Sequence, residues 1–232
     1  MCALILVVMM LLTPCVCAEM GPVSATAAQV LRQPLPPEDL SCVENNDEIV
    51  VKGSVFCYKI NPANGSVIGV EAMRGDEKVV SLCEPAGLRL DDVSLAEVSG
   101  GATQVLENGS ARVVLETKCL WAPNLPCTVH TTVYNDGVLV STVTLSPETD
   151  VMVRQGLFHE VKGSGCFTHY LHKRRDTNGL DCYQGVLPKA GESAVLNTPT
   201  SCLEAFSDTA ALALFTDMGA CYRSPADSDT AE

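Results

Sequence analysis

ARVVLETKCLWAPNLPCTVHTTVYNDGVLVSTVTL, which spans residues 111–145, is the stretch that decides the fold. It contains three runs rich in β-branched residues, and the last two meet at the turn sequence Asn135-Asp136-Gly137. A three-residue hairpin loop with a positive φ angle at Gly137 places Tyr134 opposite Val138. The same register pairs the residues farther from the loop, namely Val133 with Leu139, Val129 with Val143, and Cys127 with Leu145.

This register gives the predicted hairpin one apolar face and one mixed face. The apolar face consists of Cys127, Val129, Val133, Leu139, Val143 and Leu145, with Thr131 opposite Ser141 as its polar pair. The mixed face carries threonines and His130. The preceding run keeps this parity, since it alternates Val113, Leu115, Thr117 and Cys119 with Arg112, Glu116 and Lys118. Such alternation indicates an antiparallel sheet with one dry side.

The rest of the chain repeats this pattern of short strands and turns. Runs at 54–60 and 66–70 flank the turn at 61–65, and residues 78–83 form a further predicted strand. Residues 88–98 and 209–218 instead favour short helices, the second because Ala, Leu and Met dominate it before Gly219. We therefore predict an all-β fold: a disulfide-stabilised antiparallel β-sandwich with one or two short helices. Trp121 follows Cys119 too closely for an immunoglobulin domain.

The N-terminal segment predicts export. Residues 1–18 combine an apolar run with the small-residue cleavage signal Val16-Cys17-Ala18, which is typical of a secretory signal peptide cut before Glu19. Its length is too short for a membrane span, and a lipoprotein acylated on Cys15 is the alternative. Residues 19–41 are predicted to form a flexible Pro-containing arm, 42–223 a single β-sandwich domain, and 224–232 a disordered acidic tail.

Cysteine usage supports the prediction of a secreted, extracellular protein. Of the twelve cysteines, three lie in the predicted signal peptide. The remainder are disulfide candidates: Cys42, Cys57, Cys83, Cys119, Cys127, Cys166, Cys182, Cys202 and Cys221. Their odd number leaves one thiol, which is either buried and free or bonded to a second chain. No pair has the C-x-x-C spacing of a zinc site, so we predict no metal and no cofactor.

The charge of the chain favours a basic binding partner. The formal net charge is −13, which repels nucleic acid and anionic membranes and speeds association with basic ligands. The candidate ligand-binding carboxylates around the central stretch are Glu84, Asp91, Asp92, Glu107 and Glu116. The basic residues Lys173, Arg174 and Arg175 are a candidate polyanion site for a glycosaminoglycan, with a processing site and a solvated loop as alternatives.

Two Asn-Gly-Ser sequences, at Asn64 and Asn108, predict N-glycosylation of a secreted protein. Both coincide with predicted turns, so we expect exposed tips. Asn-Gly also suits a tight turn that carries no glycan, which is the alternative interpretation at both positions.

The histidines and serines do not predict an active site. His130 lies opposite Thr142 on the mixed face, which favours a solvated or hydrogen-bonded side chain. His169 and His172 are three apart in a predicted extended segment, so they point to opposite faces and, with His159, make a poor zinc site. Ser164 lacks the G-x-S-x-G spacing of a nucleophile turn. The sequence therefore favours a protein that is not an enzyme.

One local rhythm, together with the signal peptide and the acidity, is similar to a known family. Glu116-Thr117-Lys118-Cys119 is followed by the run 127–133, Cys-Thr-Val-His-Thr-Thr-Val, and later by Cys166. This rhythm resembles the poxvirus immune-evasion family of secreted chemokine- and cytokine-binding proteins, including those of parapoxviruses. The resemblance implies a secreted β-sandwich decoy that binds a basic host chemokine or cytokine and blocks receptor engagement.

Two other functions stay open at this point. One is a structural or adhesive secreted surface glycoprotein, linked by a disulfide into a homodimer through the odd cysteine. The other is a secreted hydrolase that uses His169 or Ser164.

Overall fold

The computed structural model describes residues 4–9, 40–83, 87–152, 157–162, 165–176, 179–187, 199–221 and 230–231. In this part of the chain, the regular structure is β-strand apart from one 3₁₀ helix, Leu95–Glu97. The strands are β1 (Leu4–Met9), β2 (Ser41–Glu44), β3 (Ile49–Lys52), β4 (Phe56–Ile60), β5 (Val67–Arg74), β6 (Glu77–Cys83), β7 (Gly87–Leu90), β8 (Val93–Ser94), β9 (Ala102–Asn108), β10 (Arg112–Ala122), β11 (Leu125–Tyr134), β12 (Leu139–Leu145), β13 (Leu157–Lys162), β14 (His169–Asp176), β15 (Gly179–Val186), β16 (Pro199–Phe206), β17 (Ala211–Cys221) and β18 (Thr230–Ala231). The predicted all-β class is confirmed.

The described strands form three antiparallel sheets. The nine-stranded sheet has the order β15-β14-β16-β17-β1-β12-β11-β10-β9, the five-stranded sheet β2-β3-β4-β5-β6, and the four-stranded sheet β18-β13-β7-β8. All neighbours in the five-stranded sheet are also neighbours in sequence, because antiparallel strands can be joined by short turns.

The hairpin of β11 and β12 has the predicted register, from Val133 opposite Leu139 to Cys127 opposite Leu145. The backbone N–H of Tyr134 donates to the carbonyl oxygen of Val138 at 2.9 Å, and Gly137 has a φ of 87°. The hydroxyls of Thr131 and Ser141 lie 3.3 Å apart in the buried face, as the predicted polar pair. Sequence alternation therefore sets which face of this hairpin is inside.

The five-stranded sheet packs against that inner face. One hydrophobic cluster combines buried residues of both sheets, including Phe56, Tyr58, Ile60, Val113, Leu115, Val133 and Leu139. The hydroxyl of Tyr58 donates to the carbonyl oxygen of Gly137 at 2.6 Å, which ties β4 to the loop between β11 and β12. The β-sandwich is therefore confirmed.

A second hydrophobic cluster covers the rest of the inner face. Side chains from β7 and from the 3₁₀ helix, such as Leu90 and Leu95, pack there with Cys119, Trp121 and Cys127. The indole Nε1 of Trp121 donates to the carbonyl oxygen of Val93 at 3.2 Å. The buried indole thus meets its hydrogen-bonding requirement while its ring fills the cluster.

Both helix predictions need correction. Residues 88–98 form parts of β7 and β8 and a single 3₁₀ turn, Leu95–Glu97. Residues 211–218 belong to β17, so the predicted helix at 209–218 is wrong. β17 pairs with β16 and β1 and buries Leu212 and Leu214. Ala and Leu favour a helix by well under 1 kcal/mol per residue, and ladder hydrogen bonds with burial outweigh that preference.

Three observations concern the ends of the chain, whose predicted division stays a prediction. β1, which lies within the predicted signal peptide, sits between β12 and β17. Cleavage before Glu19 would remove this strand and leave the facing edges of β12 and β17 without it. Leu40, which lies in the predicted arm, is buried. Thr230 and Ala231 pair with β13, and the other residues of the predicted arm and tail lie outside the described part.

Candidate ligand-binding surface

Glu107 does not present a free negative charge. The Nε atom of Arg112 donates to both carboxylate oxygens, at 3.0 and 2.9 Å, and a terminal guanidinium nitrogen lies 2.8 Å from Oε2. These hydrogen bonds hold the pKa of Glu107 below its ordinary value. The pair spans the turn between β9 and β10, so the structure assigns Glu107 a local partner.

Glu116 also has local partners, on the outer face of the nine-stranded sheet. Its carboxylate lies 2.7 Å from Nζ of Lys118 and 3.3 Å from Nε2 of His130. The hydrogen bond from Lys118 lowers the pKa of Glu116, and the charges of Lys118 and His130 act in the same direction. His130 lies opposite Thr142 as predicted, and opposite Glu116 on its other side.

Asp91 and Asp92 lie on another part of the molecule, in the turn between β7 and β8. Asp91 has a φ of 53°, and Asp92 is exposed while its backbone carbonyl accepts from Arg89 at 3.3 Å. The strands that flank this turn cover the inner face of the large sheet, whereas Glu116 lies on the outer face. The structure therefore does not bring these candidates together, and Glu84 lies outside the described residues.

Glu71, which the sequence analysis did not single out, is a structural carboxylate. It accepts from Lys59 at 3.0 Å and from Lys78 at 2.9 Å, across β4, β5 and β6. Burial alone would raise the pKa of Glu71, but the hydrogen bonds and charges of the two lysines lower it overall. The two lysines compensate the negative charge of Glu71, so this carboxylate offers little to a basic ligand.

A different acidic group lies in the turn between β2 and β3. The run Glu44-Asn45-Asn46-Asp47-Glu48 places three carboxylates within five residues, and Glu44 and Asp47 are exposed. The backbone N–H of Asn45 donates to the carbonyl of Glu48 at 2.9 Å and closes the turn. Within the described part of the chain, no ion pair forms to these three residues. We call these three residues the acidic turn. The sequence feature that could have identified it is the set of turn-forming residues between two β-rich runs.

The two predicted glycosylation sites have opposite environments. Asn108 is exposed at the end of β9, in agreement with the predicted tip. Asn64 has no exposed surface, so the prediction of an exposed tip is wrong there. Its Nδ2 donates to the carbonyl oxygens of Val98 at 2.8 Å and Ala96 at 3.3 Å. Both amide hydrogens are therefore used, and a glycan must replace one of them.

We expect the two sites to differ in occupancy when the chain is made in a glycosylating secretory host. Asn108→Gln should remove the glycan, because Asn108 is the accessible acceptor. Asn64→Gln, made in the same host, should carry the same mass of glycan as the wild-type protein, measured on the fraction that folds. Intact mass spectrometry before and after treatment with a glycan-removing amidase measures both. A glycan on Asn64 in folded protein contradicts this expectation.

Among the other residues considered for catalysis or metal binding, the structure describes the side chain of His169. Nδ1 of exposed His169 lies 2.8 Å from the hydroxyl of Thr168, and its ring stacks on Phe206 with centroids 5.4 Å apart. Among the described residues, no group of three or more His, Cys, Asp or Glu is placed to hold a metal ion. His159 and His172 lie in β13 and β14, and Ser164 is outside the described residues.

The basic run Lys173-Arg174-Arg175 lies in β14, between β15 and β16. The backbone of this run therefore lies in a strand and not in a loop, while the solvation of its side chains stays untested. A ladder irregularity falls between Lys173 and Arg174 where β14 meets β16. Polyanion binding by this strand stays a prediction.

The cysteines with described side chains are free thiols in this structure: Cys42, Cys57, Cys119, Cys127 and Cys166. Four further candidates occupy strands of the sheets, with Cys83 in β6, Cys182 in β15, Cys202 in β16 and Cys221 in β17. The predicted disulfide framework stays a prediction.

Comparison with known proteins leaves the family open. No protein-family model matches the chain, and no curated protein matches it either. The described part of the chain contains no helix that is long and apolar enough to cross a membrane. The resemblance to the poxvirus family is thus untested by these findings.

Proposed function

We propose that this protein is a secreted decoy, a β-sandwich that binds a basic host chemokine or cytokine and blocks receptor engagement. It catalyses no reaction in this proposal. The observation that carries it is that the acidic turn gathers three carboxylates within five residues, none of which has a cationic partner among the described residues. Glu71, Glu107 and Glu116 have Lys or Arg partners at 2.7–3.0 Å, whereas Glu44, Asp47 and Glu48 form no such pair within the described part of the chain.

The acidic turn is suited to attract a cationic ligand. Paired carboxylates have satisfied hydrogen bonds and a reduced field, so a ligand gains little by displacing their partners. Carboxylates without a cationic partner keep their electrostatic field, and a ligand that binds them does not have to break an existing ion pair. The net charge of −13 acts in the same direction at long range and concentrates basic ligands near the surface.

Exposed apolar surface beside the acidic turn could slow the dissociation of a bound ligand. Val43 is 53 % exposed and precedes Glu44 on the edge strand β2. The edge strand also presents backbone groups that can pair with an extended segment of a partner. Charged residues at such a site mainly raise the association rate, while apolar contact lowers the dissociation rate.

The test measures association with basic chemokines immobilised on a sensor surface. We expect the association rate to fall roughly tenfold or more between about 50 mM and 500 mM salt, because screening shortens the range of the protein's field. The triple variant Glu44→Gln, Asp47→Asn, Glu48→Gln should lower the association rate several-fold at low salt.

A matched triple variant separates the acidic turn from overall charge. Glu97→Gln, Glu148→Gln and Asp150→Asn remove the same number of negative charges from exposed positions elsewhere, whereas Glu48 in the acidic turn is half-buried. If overall charge alone steers the ligand, the two triple variants should have the same association rate. That result would contradict the proposed role of the acidic turn. Absence of binding to every basic chemokine and cytokine tested counts against the proposed function itself.

A further inference from the structure

β10 and β11 bring two cysteines face to face. Cys119 on β10 lies directly opposite Cys127 on β11. The N–H of Asn135 donates to the carbonyl of Ala111, so the odd-numbered residues of β11 exchange backbone hydrogen bonds with β10. The Cα atoms of such a pair are about 5.5 Å apart, within the range of roughly 4.4–6.8 Å that disulfides require.

The two thiols point into the second hydrophobic cluster, where Cys119 is 8 % and Cys127 is 2 % exposed. A hydrogen bond from the Cys127 thiol holds the pKa of Cys119 below its ordinary value, against the effect of burial. The same hydrogen bond, together with burial, raises the pKa of Cys127. The thiols therefore contact each other, and their hydrogen bond favours the loss of one proton from the pair.

The other cysteines with described side chains have different neighbours. Cys42 and Cys57 lie opposite residues other than cysteine in the five-stranded sheet. The Cys166 thiol lies 4.0 Å from the carbonyl oxygen of Leu82. Among the described side chains, Cys119 and Cys127 are thus the pair whose register suits a covalent bond.

We propose that Cys119 and Cys127 form a cross-strand disulfide that closes the β10–β11 hairpin. The bond would fix the end of the hairpin beside its Pro123-Asn124 turn, where Asn124 has a φ of 63°. It also holds together the strands that carry Trp121 in the second hydrophobic cluster. This pairing is independent of any ligand, so it stands or falls separately from the proposed function.

The oxidant is a small-molecule disulfide, such as oxidised glutathione. The thiolate of Cys119 attacks one sulfur of that disulfide and releases one glutathione thiolate, which takes up the proton lost by Cys119. The sulfur of Cys127, losing its proton, attacks the sulfur of Cys119 in the mixed disulfide and releases a second glutathione thiol. Two protein thiols are oxidised, and one glutathione disulfide is reduced to two thiols.

Peptide mapping of the wild-type full chain tests the bond directly. The protein is folded with oxidised glutathione, its free thiols are alkylated, and it is digested without reduction. Cleavage after Lys118 and Arg154 releases both cysteines in one peptide, 119–154. We expect this peptide to be two hydrogens lighter and unalkylated, and further cleavage after Trp121 should leave its two parts linked until reduction.

Thermal unfolding provides a second measurement. Oxidised wild-type protein should melt about 5 °C higher than the reduced protein, because the bond restricts the unfolded chain. The double variant Cys119→Ser, Cys127→Ser should lose most of this difference, and the control Cys57→Ser should keep it. Alkylation of both cysteines in oxidised wild-type protein overturns the proposal, as does linkage of Cys119 to another cysteine.

Discussion

Replacement of Asn64 by Asp is expected to lower the free energy of unfolding by about 3–5 kcal/mol. The substitution hardly changes the shape of the side chain but exchanges an amide donor for a carboxylate oxygen. In the folded protein that oxygen faces the carbonyl oxygens of Ala96 and Val98, to which Asn64 donates. Asn64 has no exposed surface, so water cannot solvate the new charge.

The other Asn-Gly-Ser sequence provides the matched control. Asn108→Asp makes the same chemical change before the same two residues, but on an exposed side chain. Its effect should stay within about 0.5 kcal/mol. Denaturant unfolding of both variants, purified from a host that does not glycosylate, measures the difference. Equal stability of the two variants would show that Asn64 is not buried as described.

The pH dependence of the Asn64→Asp deficit has a definite sign. Burial and the facing carbonyl oxygens disfavour the ionised carboxyl, so the folded variant binds a proton more tightly than the unfolded variant does. The deficit is therefore largest near neutral pH. It should shrink as the pH falls toward about 4, where the unfolded carboxyl also becomes protonated. Asn108→Asp should show no such trend.

Sequence alternation was sufficient to predict the β11–β12 hairpin, because its register depends on neighbours along the chain. Thr131 and Ser141 were predicted to face each other, and their hydroxyls do. The helix predicted at 209–218 failed for the opposite reason. Ala and Leu favour a helix locally, but β17 gains its partners β16 and β1 from distant parts of the chain.

The environment of charged and polar residues was harder to predict than the strands. The partners of Asn64 are Ala96 in the 3₁₀ helix and Val98 just after it, more than thirty residues later, so its turn sequence could not reveal burial. Glu116 is different, because the predicted parity places it on the same face as His130 and Lys118. Pairing β10 with β11 in sequence would have identified this local charge network before the structure did.

The turn at 61–66 joins β4 to β5 of the five-stranded sheet. Its contacts with the nine-stranded sheet explain why Asn64 is buried. The hydroxyl of Thr103 donates to the carbonyl oxygen of Pro62 at 2.7 Å and also lies 2.7 Å from the hydroxyl of Thr117. A Cβ atom on Gly65 would come within 2.7 Å of that Thr117 hydroxyl. The turn is therefore packed closely against β9 and β10 rather than extended into solvent.

Replacement of Gly101 by Ala is expected to destabilise the protein by about 3 kcal/mol, at the upper end of overpacking effects. An added Cβ would lie 2.6 Å from both Cβ of Cys119 and the carbonyl oxygen of Lys118, and it would also clash with the carbonyl oxygen of Ala63. Two of these atoms belong to the backbone, so no side-chain rotation relieves the contact. Relief requires the turn to separate from β10, which would also strain the hydrogen bonds of the neighbouring Asn64.

Gly109→Ala is the control for the loss of glycine itself. A Cβ there meets the nearest backbone atom, the carbonyl oxygen of Arg112, at 3.4 Å, which is ordinary contact. We expect a change of no more than about 1 kcal/mol, since removing glycine also reduces the freedom of the unfolded chain. Denaturant unfolding compares the two variants at one pH. If Gly101→Ala costs no more than Gly109→Ala, the turn does not pack against β10, and the buried position of Asn64 loses its structural basis.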